Sequence, residues 1–245
     1  MNRHRLLKGF LAALAVPIVV AACSSGGGTA PLPSIPPATA PAESGSAAPS
    51  SDPMAHPSYP PGCPTAQPDA LAAGETRTVT VTTDKGDITM KIEADLSPIA
   101  AGNFVALAEC GWYDNVVFHR LVPGFVIQGG DGQFGRVPNV IPGLVGTGGP
   151  PYTIKDEPVT AKYGRGTVAM ARTAEPDSVG SQFFIVTDDA AEAALASANT
   201  YQIIGEVTAG MDAVDAIAAM PNSGQASGNA AVDPVPMTKV TVTTP

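Results

Sequence analysis

From Glu75 onward the apolar positions fall into short periods. Val79 and Val81 alternate with threonines, and Ile88, Met90 and Ile92 alternate with polar residues, with Asp84-Lys85-Gly86-Asp87 between the two runs. Period-two alternation on either side of a Gly-containing turn predicts a β-hairpin with one buried face. Ser97-Pro98 then offers an N-cap followed by Pro at the first helical position. Ala100, Phe104, Leu107 and Ala108 share one helical face before Gly111, which predicts one amphipathic helix. Beyond it the apolar stretches are short and β-rich: 116–118, 125–128, 167–171, 183–187, 201–207 and 240–243. Only Met211 to Met220 again has a helical period. Many short strands, Gly-rich connections and two helices describe a closed, capped barrel better than an α/β sheet.

The first 74 residues behave differently. Arg3, Arg5 and Lys8 precede the apolar run Gly9 to Ala22, which is too short to span a bilayer and has the form of a secretory signal. It ends in Val20-Ala21-Ala22-Cys23, followed by Ser24-Ser25 and three glycines. Small residues just before a Cys resemble a bacterial lipobox, which implies lipidation of Cys23 as the first mature residue. An ordinary cleaved signal with an incidental Cys is the plainer alternative. From residue 23 to residue 74 Ala, Ser, Gly and Pro dominate, and no apolar period survives. Such a segment buries too little to offset its ordering entropy, so a semi-extended stalk is expected. The expected plan is a signal peptide over 1–22, a stalk over 23–74 and a folded domain over 75–245, at the outer face of a membrane.

Composition agrees with one domain and a tail. Charged residues make up 14% and aromatics 5% of the 245-residue chain, beside 26 Gly and 25 Pro. The formal charge of −9 falls to −12 once residues 1–22, with three basic and no acidic groups, are removed. An acidic body argues against a nucleic-acid partner. Two cysteines remain after Cys23, and in an oxidising compartment Cys63 and Cys110 are expected to bond to each other; two buried free thiols are the alternative. The three histidines lie far apart, and no metal-ligand spacing is present, so neither metal nor cofactor is expected.

The chemistry is concentrated in two stretches. The first runs Phe118-His119-Arg120-Leu121-Val122-Pro123-Gly124-Phe125-Val126-Ile127-Gln128-Gly129-Gly130-Asp131. The second is Gly166 to Thr173, followed by Gly180-Ser181-Gln182-Phe183-Phe184-Ile185, and Gly146-Thr147-Gly148-Gly149 lies between them. In this order they closely resemble the signature of the cyclophilin-type peptidyl-prolyl cis-trans isomerases, over roughly Thr78 to Val242. The resemblance implies a closed eight-stranded antiparallel β-barrel capped by two α-helices, acting as a monomer on proline-containing polypeptides. It also implies the site. Arg120, Phe125 and Gln128 stand as the catalytic set, with Val126, Ala171, Arg172, Thr173, Gln182, Phe184 and Tyr201 lining the substrate groove.

These residue types suit a reaction that needs no nucleophile, base or cofactor. Amide resonance opposes rotation of a peptide C–N bond by about 18–20 kcal/mol, and X–Pro bonds exchange over roughly tens to hundreds of seconds. Twisting returns the lone pair to the prolyl nitrogen, so a fixed cationic donor binds the transition state more strongly than the ground state. Arg120 is the natural donor. His119 invites a role as general base, but no proton moves in this reaction, and a packed histidine is expected.

Four departures from the family pattern stand out. Arg172 and Thr173 occupy places where familiar eukaryotic members have Asn and Ala. Ala190 to Leu195 replaces the usual Trp-Leu segment, Tyr201 replaces a His, and the connection Gly132 to Val145 is longer than in a compact member. Arg172, Thr173 and Tyr201 motivate an alternative reading as a non-catalytic proline-peptide-binding or chaperone module. A solute-binding lipoprotein, suggested by the lipobox alone, would show repeated β-α units, which are absent.

Overall fold

A computed structural model of the chain describes residues 59–245. The signal peptide, Cys23 and the stalk up to residue 58 lie outside the described residues.

The hairpin forms as its alternation demands. β1 (Thr76–Thr83) pairs antiparallel with β2 (Gly86–Glu93), setting Val79 opposite Met90 and Val81 opposite Ile88. All four side chains are buried. The turn is tighter than the four residues expected, since Thr83 already pairs with Gly86. Helix α1 (Pro98–Glu109) follows at the predicted place with Pro at its start. Then come β3 (Val116–Val122), β4 (Val126–Gly129), β5 (Thr167–Met170), β6 (Phe183–Val186), α2 (Glu192–Ala198), β7 (Ile203–Ala209), α3 (Met211–Ala218), β8 (Pro236–Met237) and β9 (Lys239–Thr243).

The strands form one row, β8-β3-β4-β6-β5-β7-β2-β1-β9, in which every pairing is antiparallel. Its two ends are consecutive in the chain and parted only by Thr238, so the row wraps into a nearly closed barrel. Among the described residues nine strands stand where eight were expected, because the C-terminal stretch breaks at Thr238, where both the amide and the hydroxyl donate to Thr82 O. Three helices stand where two were expected. The extra one is α2, whose Ala-rich sequence carries no apolar period and buries only Leu195.

Strands β5 and β6, and nearly all of β4, are buried on both faces, and alternation sorts their side chains into two clusters. Ile127, Val168, Met170, Phe183 and Ile185 join the main core with the buried face of α1 and with Val214 and Ile217 of α3. Their neighbours Val126, Ala169, Phe184 and Val186 point the other way, into a second cluster with Tyr163, Ala191, Leu195 and Ile203. That second, outward cluster carries the site.

Two local expectations are corrected. Ser97 precedes α1, but its side chain makes no capping bond and its buried hydroxyl has no partner. The first-turn amides of Ile99 and Ala100 instead donate to the two carboxylate oxygens of Glu157, both at 2.9 Å. Residues 59–74, assigned to the stalk, pack onto the domain. Tyr59 lies against Trp112 with ring centroids 5.0 Å apart, and Leu71 N donates to Pro98 O. Gly102 lies so close to Asp69 O and Leu71 N that a Cβ there would collide with them. Cys63 and Cys110 form the disulfide, with a Cα separation of 5.1 Å. A segment without apolar period is thus held by one covalent link and a few specific contacts, which composition does not reveal.

Candidate active site

Cross-strand register assembles the site. Arg120 on β3 is paired with Gln128 on β4, Gln128 with Phe184 on β6, and Phe184 with Ala169 on β5. Directly paired residues share a face, so arginine, glutamine and phenylalanine stand in one row on the outside of the barrel. A bulge makes this possible. Phe118 pairs with Gly129 and Arg120 with Gln128, leaving His119 as the extra residue. Under regular pairing Arg120 would share the inward face of Phe118, which is wholly buried in the main core. The inserted residue turns the guanidinium outward.

Among the described residues Arg120 meets no carboxylate; its Nη1 donates to Gln128 Oε1 at 3.2 Å. Gln128 Nε2 donates to Gln182 Oε1 at 3.0 Å. Gln182 Nε2 donates both of its hydrogens to backbone carbonyls, Gly146 O and Gly148 O, each at 2.9 Å. Among the described residues the other guanidinium N–H groups of Arg120 make no hydrogen bond, which leaves them open to a ligand.

Beside this polar row lies an apolar patch. Phe184 is 4% exposed and Val126 2%, while Phe125 and Tyr201 are half-buried in the same cluster. Tyr201 meets Phe184 edge to face, with centroids 5.4 Å apart and planes at 85°, a favourable aromatic geometry. On the other side of Gln128 and Gln182 an open cavity of about 540 Å³ is lined by Gly146, Thr147, Ala171 and Arg172 among others. Ala171 N donates to Gln182 O at 2.8 Å, fixing the strand edge between patch and cavity.

Arg172 and Thr173 reach the cavity wall, but the arginine's charge is engaged. Its Nη1 pairs with Asp156 at 2.9 Å, and Nη2 donates to Glu175 O at 2.8 Å. With its side chain 10% exposed, it braces the 172–178 turn more than it presents a cation to the groove. His119 is 7% exposed. Burial is the largest influence on its imidazole and lowers its pKa, against the pull of Asp131 in the other direction. A histidine kept neutral by burial fits the packed role expected of it. Among the described residues no group of His, Cys, Asp and Glu side chains is placed to hold a metal ion.

The sequence reading missed the carbonyls of Gly146 and Gly148 as members of the site, and Asp131, whose carboxylate holds the same two glycines. Asp131 was visible as the last residue of the first motif, but nothing local tells which amides it meets.

Comparison with known proteins points to the family that the two motifs resemble. The family model described as cyclophilin type peptidyl-prolyl cis-trans isomerase/CLD matches residues 78–242. A protein of Brucella abortus named probable peptidyl-prolyl cis-trans isomerase is 37% identical over 175 residues, covering 71% of this chain and 86% of that one. A peptidyl-prolyl cis-trans isomerase of Acinetobacter baylyi is 37% identical over 147 residues, covering 59% and 73%. The crystal structure of a Cryptosporidium parvum cyclophilin-type isomerase superimposes with a TM-score of 0.57 at 26% identity, covering 69% of this chain and 99% of that one. A second structure of that protein, determined in the presence of the dipeptide Ala-Pro, gives 0.56.

Proposed function

The chain belongs to the cyclophilin-type peptidyl-prolyl cis-trans isomerases, and from that premise we propose that it turns over X–Pro bonds of exported polypeptides while tethered to a membrane by lipid on Cys23. The observation that carries the catalytic part is the single cross-strand row of Arg120, Gln128 and Phe184. It sets a guanidinium that meets no carboxylate among the described residues beside an apolar patch.

In this reading the substrate prolyl ring rests on Phe125, Val126 and Phe184, and the flanking peptide runs past Gln182 and Ala171 toward the cavity walled by Arg172 and Thr173. Tyr201 backs Phe184. As the amide twists, the prolyl nitrogen becomes an acceptor and Arg120 donates to it, while Gln128 holds the guanidinium from behind. A turnover of about 10 s⁻¹ asks for roughly a thousandfold acceleration, or about 4 kcal/mol. One or two charge-assisted hydrogen bonds of about 1.5–3 kcal/mol each supply that. No proton is transferred, so a neutral, buried His119 is no obstacle. The secretory signal, the lipobox-like Cys23 and a disulfide-bonded domain support export and a role in folding outside the cytoplasm.

The test is a protease-coupled assay of a proline tetrapeptide. Arg120→Ala lowers kcat/KM by about tenfold or more, the loss of one charge-assisted hydrogen bond, with the thermal midpoint little changed. Activity within about twofold of the parent would remove Arg120 from the mechanism. Tethering is tested separately by metabolic labelling with a tagged fatty acid, which Cys23→Ser abolishes if the lipobox reading is right.

A further inference from the structure

We propose that Asp131 is a positioning residue for Arg120, acting through the 132–148 connection and the two glutamines; the inference rests on the role given to Arg120 above. Asp131 is completely buried, and no cation pairs with it among the described residues. Its carboxylate accepts four backbone hydrogen bonds. Oδ1 takes Gln133 N at 3.1 Å and Phe134 N at 2.9 Å, from the start of the connection. Oδ2 takes Gly146 N at 2.7 Å and Gly148 N at 2.9 Å, from its end. One side chain therefore clamps both ends of the connection.

The far pair is the telling one. Gly146 and Gly148 donate their amides to Asp131 and offer their carbonyls to Gln182. Two carbonyls facing one side-chain amide leave it no choice of orientation: nitrogen must face the glycines, so oxygen faces Gln128. Gln128 then presents its nitrogen to Gln182 and its oxygen to Arg120. The polarity of the relay is thus decided at the glycines, and Asp131 holds the glycines. Reversal of either amide would aim N–H groups at the guanidinium and push it off the row.

The fit leaves little slack. A Cβ on Gly148 would come within 2.5 Å of Asp131 Oδ1, and one on Gly146 would meet the His119 ring at 3.3 Å. Gly146 also has φ near 94°, a left-handed conformation that favours glycine. The arrangement also explains how a connection longer than the family pattern is accommodated. Extra residues between two ends pinned to one carboxylate do not shift the carbonyls that face Gln182.

The experiment compares Asp131→Asn, Gln182→Leu, their double variant and Gln182→Glu with the parent, with Arg120→Ala alongside. Asp131→Asn keeps the shape but turns one oxygen into a donor facing amide N–H groups, so kcat/KM falls by about tenfold. In the Gln182→Leu background, where the relay is already cut, the same change costs no more than about twofold, as expected of residues acting in one chain. Gln182→Glu leaves Asp131 intact and reverses the polarity only while the new carboxylate is ionised. Its deficit relative to the parent is therefore large near pH 8 and shrinks toward about pH 5, as a glutamic acid that can again donate to a glycine carbonyl forms.

A merely structural role for Asp131 would give losses that multiply in the double variant, and a Gln182 whose amide polarity does not matter would give a Gln182→Glu deficit independent of pH. Either result overturns the proposal, as does Asp131→Asn activity within about twofold of the parent. If Asp131→Asn does not fold, Gly148→Ala, whose Cβ would press on the Asp131 carboxylate, replaces it in the same comparison with Gln182→Leu. Should Arg120→Ala keep full activity, the fault lies in the role given to Arg120 and not in the relay.

Discussion

Helix α1 provides a direct contest between two caps. Ser97 occupies the N-cap position that the sequence marks out, yet its hydroxyl has no partner, while Glu157, nearly sixty residues on, receives the Ile99 and Ala100 amides. Replacing a working cap by Ala costs about 0.5–2 kcal/mol, and a carboxylate at a helix N-terminus adds about 0.3–1 kcal/mol through the dipole. Glu157 also accepts from Gln202 Nε2 at 3.1 Å, and Gln202 is completely buried. Glu157→Ala should therefore cost about 2 kcal/mol, and for a domain of this size that lowers Tm by about 4–8 °C. Ser97→Ala removes a buried hydroxyl that bonds to nothing and should shift Tm by no more than about 2 °C in either direction. Thermal melts followed by circular dichroism near neutral pH measure both. A larger loss for Ser97→Ala than for Glu157→Ala would refute the reasoning and restore the cap expected from sequence.

Reduction of Cys63–Cys110, which are 47 residues apart, should cost about 2–4 kcal/mol by loop entropy while leaving tetrapeptide turnover intact at temperatures where the domain stays folded; denaturant titration with and without reductant, beside the assay, measures both. The burial that lowers the His119 pKa makes the unfolded chain bind more protons below its ordinary value of about 6.5. Stability is thus fully present above that pH and is lost as pH falls toward the folded pKa, by at most about 1.4 kcal/mol per pH unit. His119→Gln should flatten this part of the stability curve, and an unchanged slope would show that other groups cause it. Cyclosporin-type inhibitors should bind more weakly than they do to common eukaryotic cyclophilins, by roughly thirtyfold if a buried Trp contact worth about 2 kcal/mol is missing at Ala190 to Leu195. Equal affinity in side-by-side titration would show that another residue, with Tyr201 the first candidate, fills that place.

What was legible in the sequence follows the range of the interactions involved. The β1–β2 hairpin and α1 depend on alternation, a turn and a Pro, all local, and they lie where the pattern puts them. The motif around Arg120, Phe125 and Gln128 was legible because it sits on two strands joined by a tight turn. The cap on α1 was not, since Glu157 reaches it from another part of the chain. The Cys63–Cys110 bond was legible, but the packing of residues 59–74 was not, for the same reason: Tyr59 carries no period, and its partner Trp112 lies beyond the hairpin and helix. Arg172 lines the cavity, and its engagement with Asp156 and Glu175 O depends on a turn whose closure no spacing discloses.

The bulge at His119 joins these two classes of information. Strict alternation through Phe118, Arg120 and Val122 would put all three on one face, and Phe118 belongs to the main core. An arginine on that face would bury a charge without a partner, at a cost of several kcal/mol, so a regular strand with this sequence is not a stable option. The extra residue resolves the conflict, and the residue left over must itself be buried without charge. Histidine can do this because desolvation lowers its pKa, whereas a lysine or arginine there would recreate the problem the bulge removes. The geometry that aims Arg120 at a substrate and the depressed pKa of His119 are thus two consequences of one constraint on β3, and any substitution that flattens the bulge while residue 119 stays in the strand should lose activity and stability together.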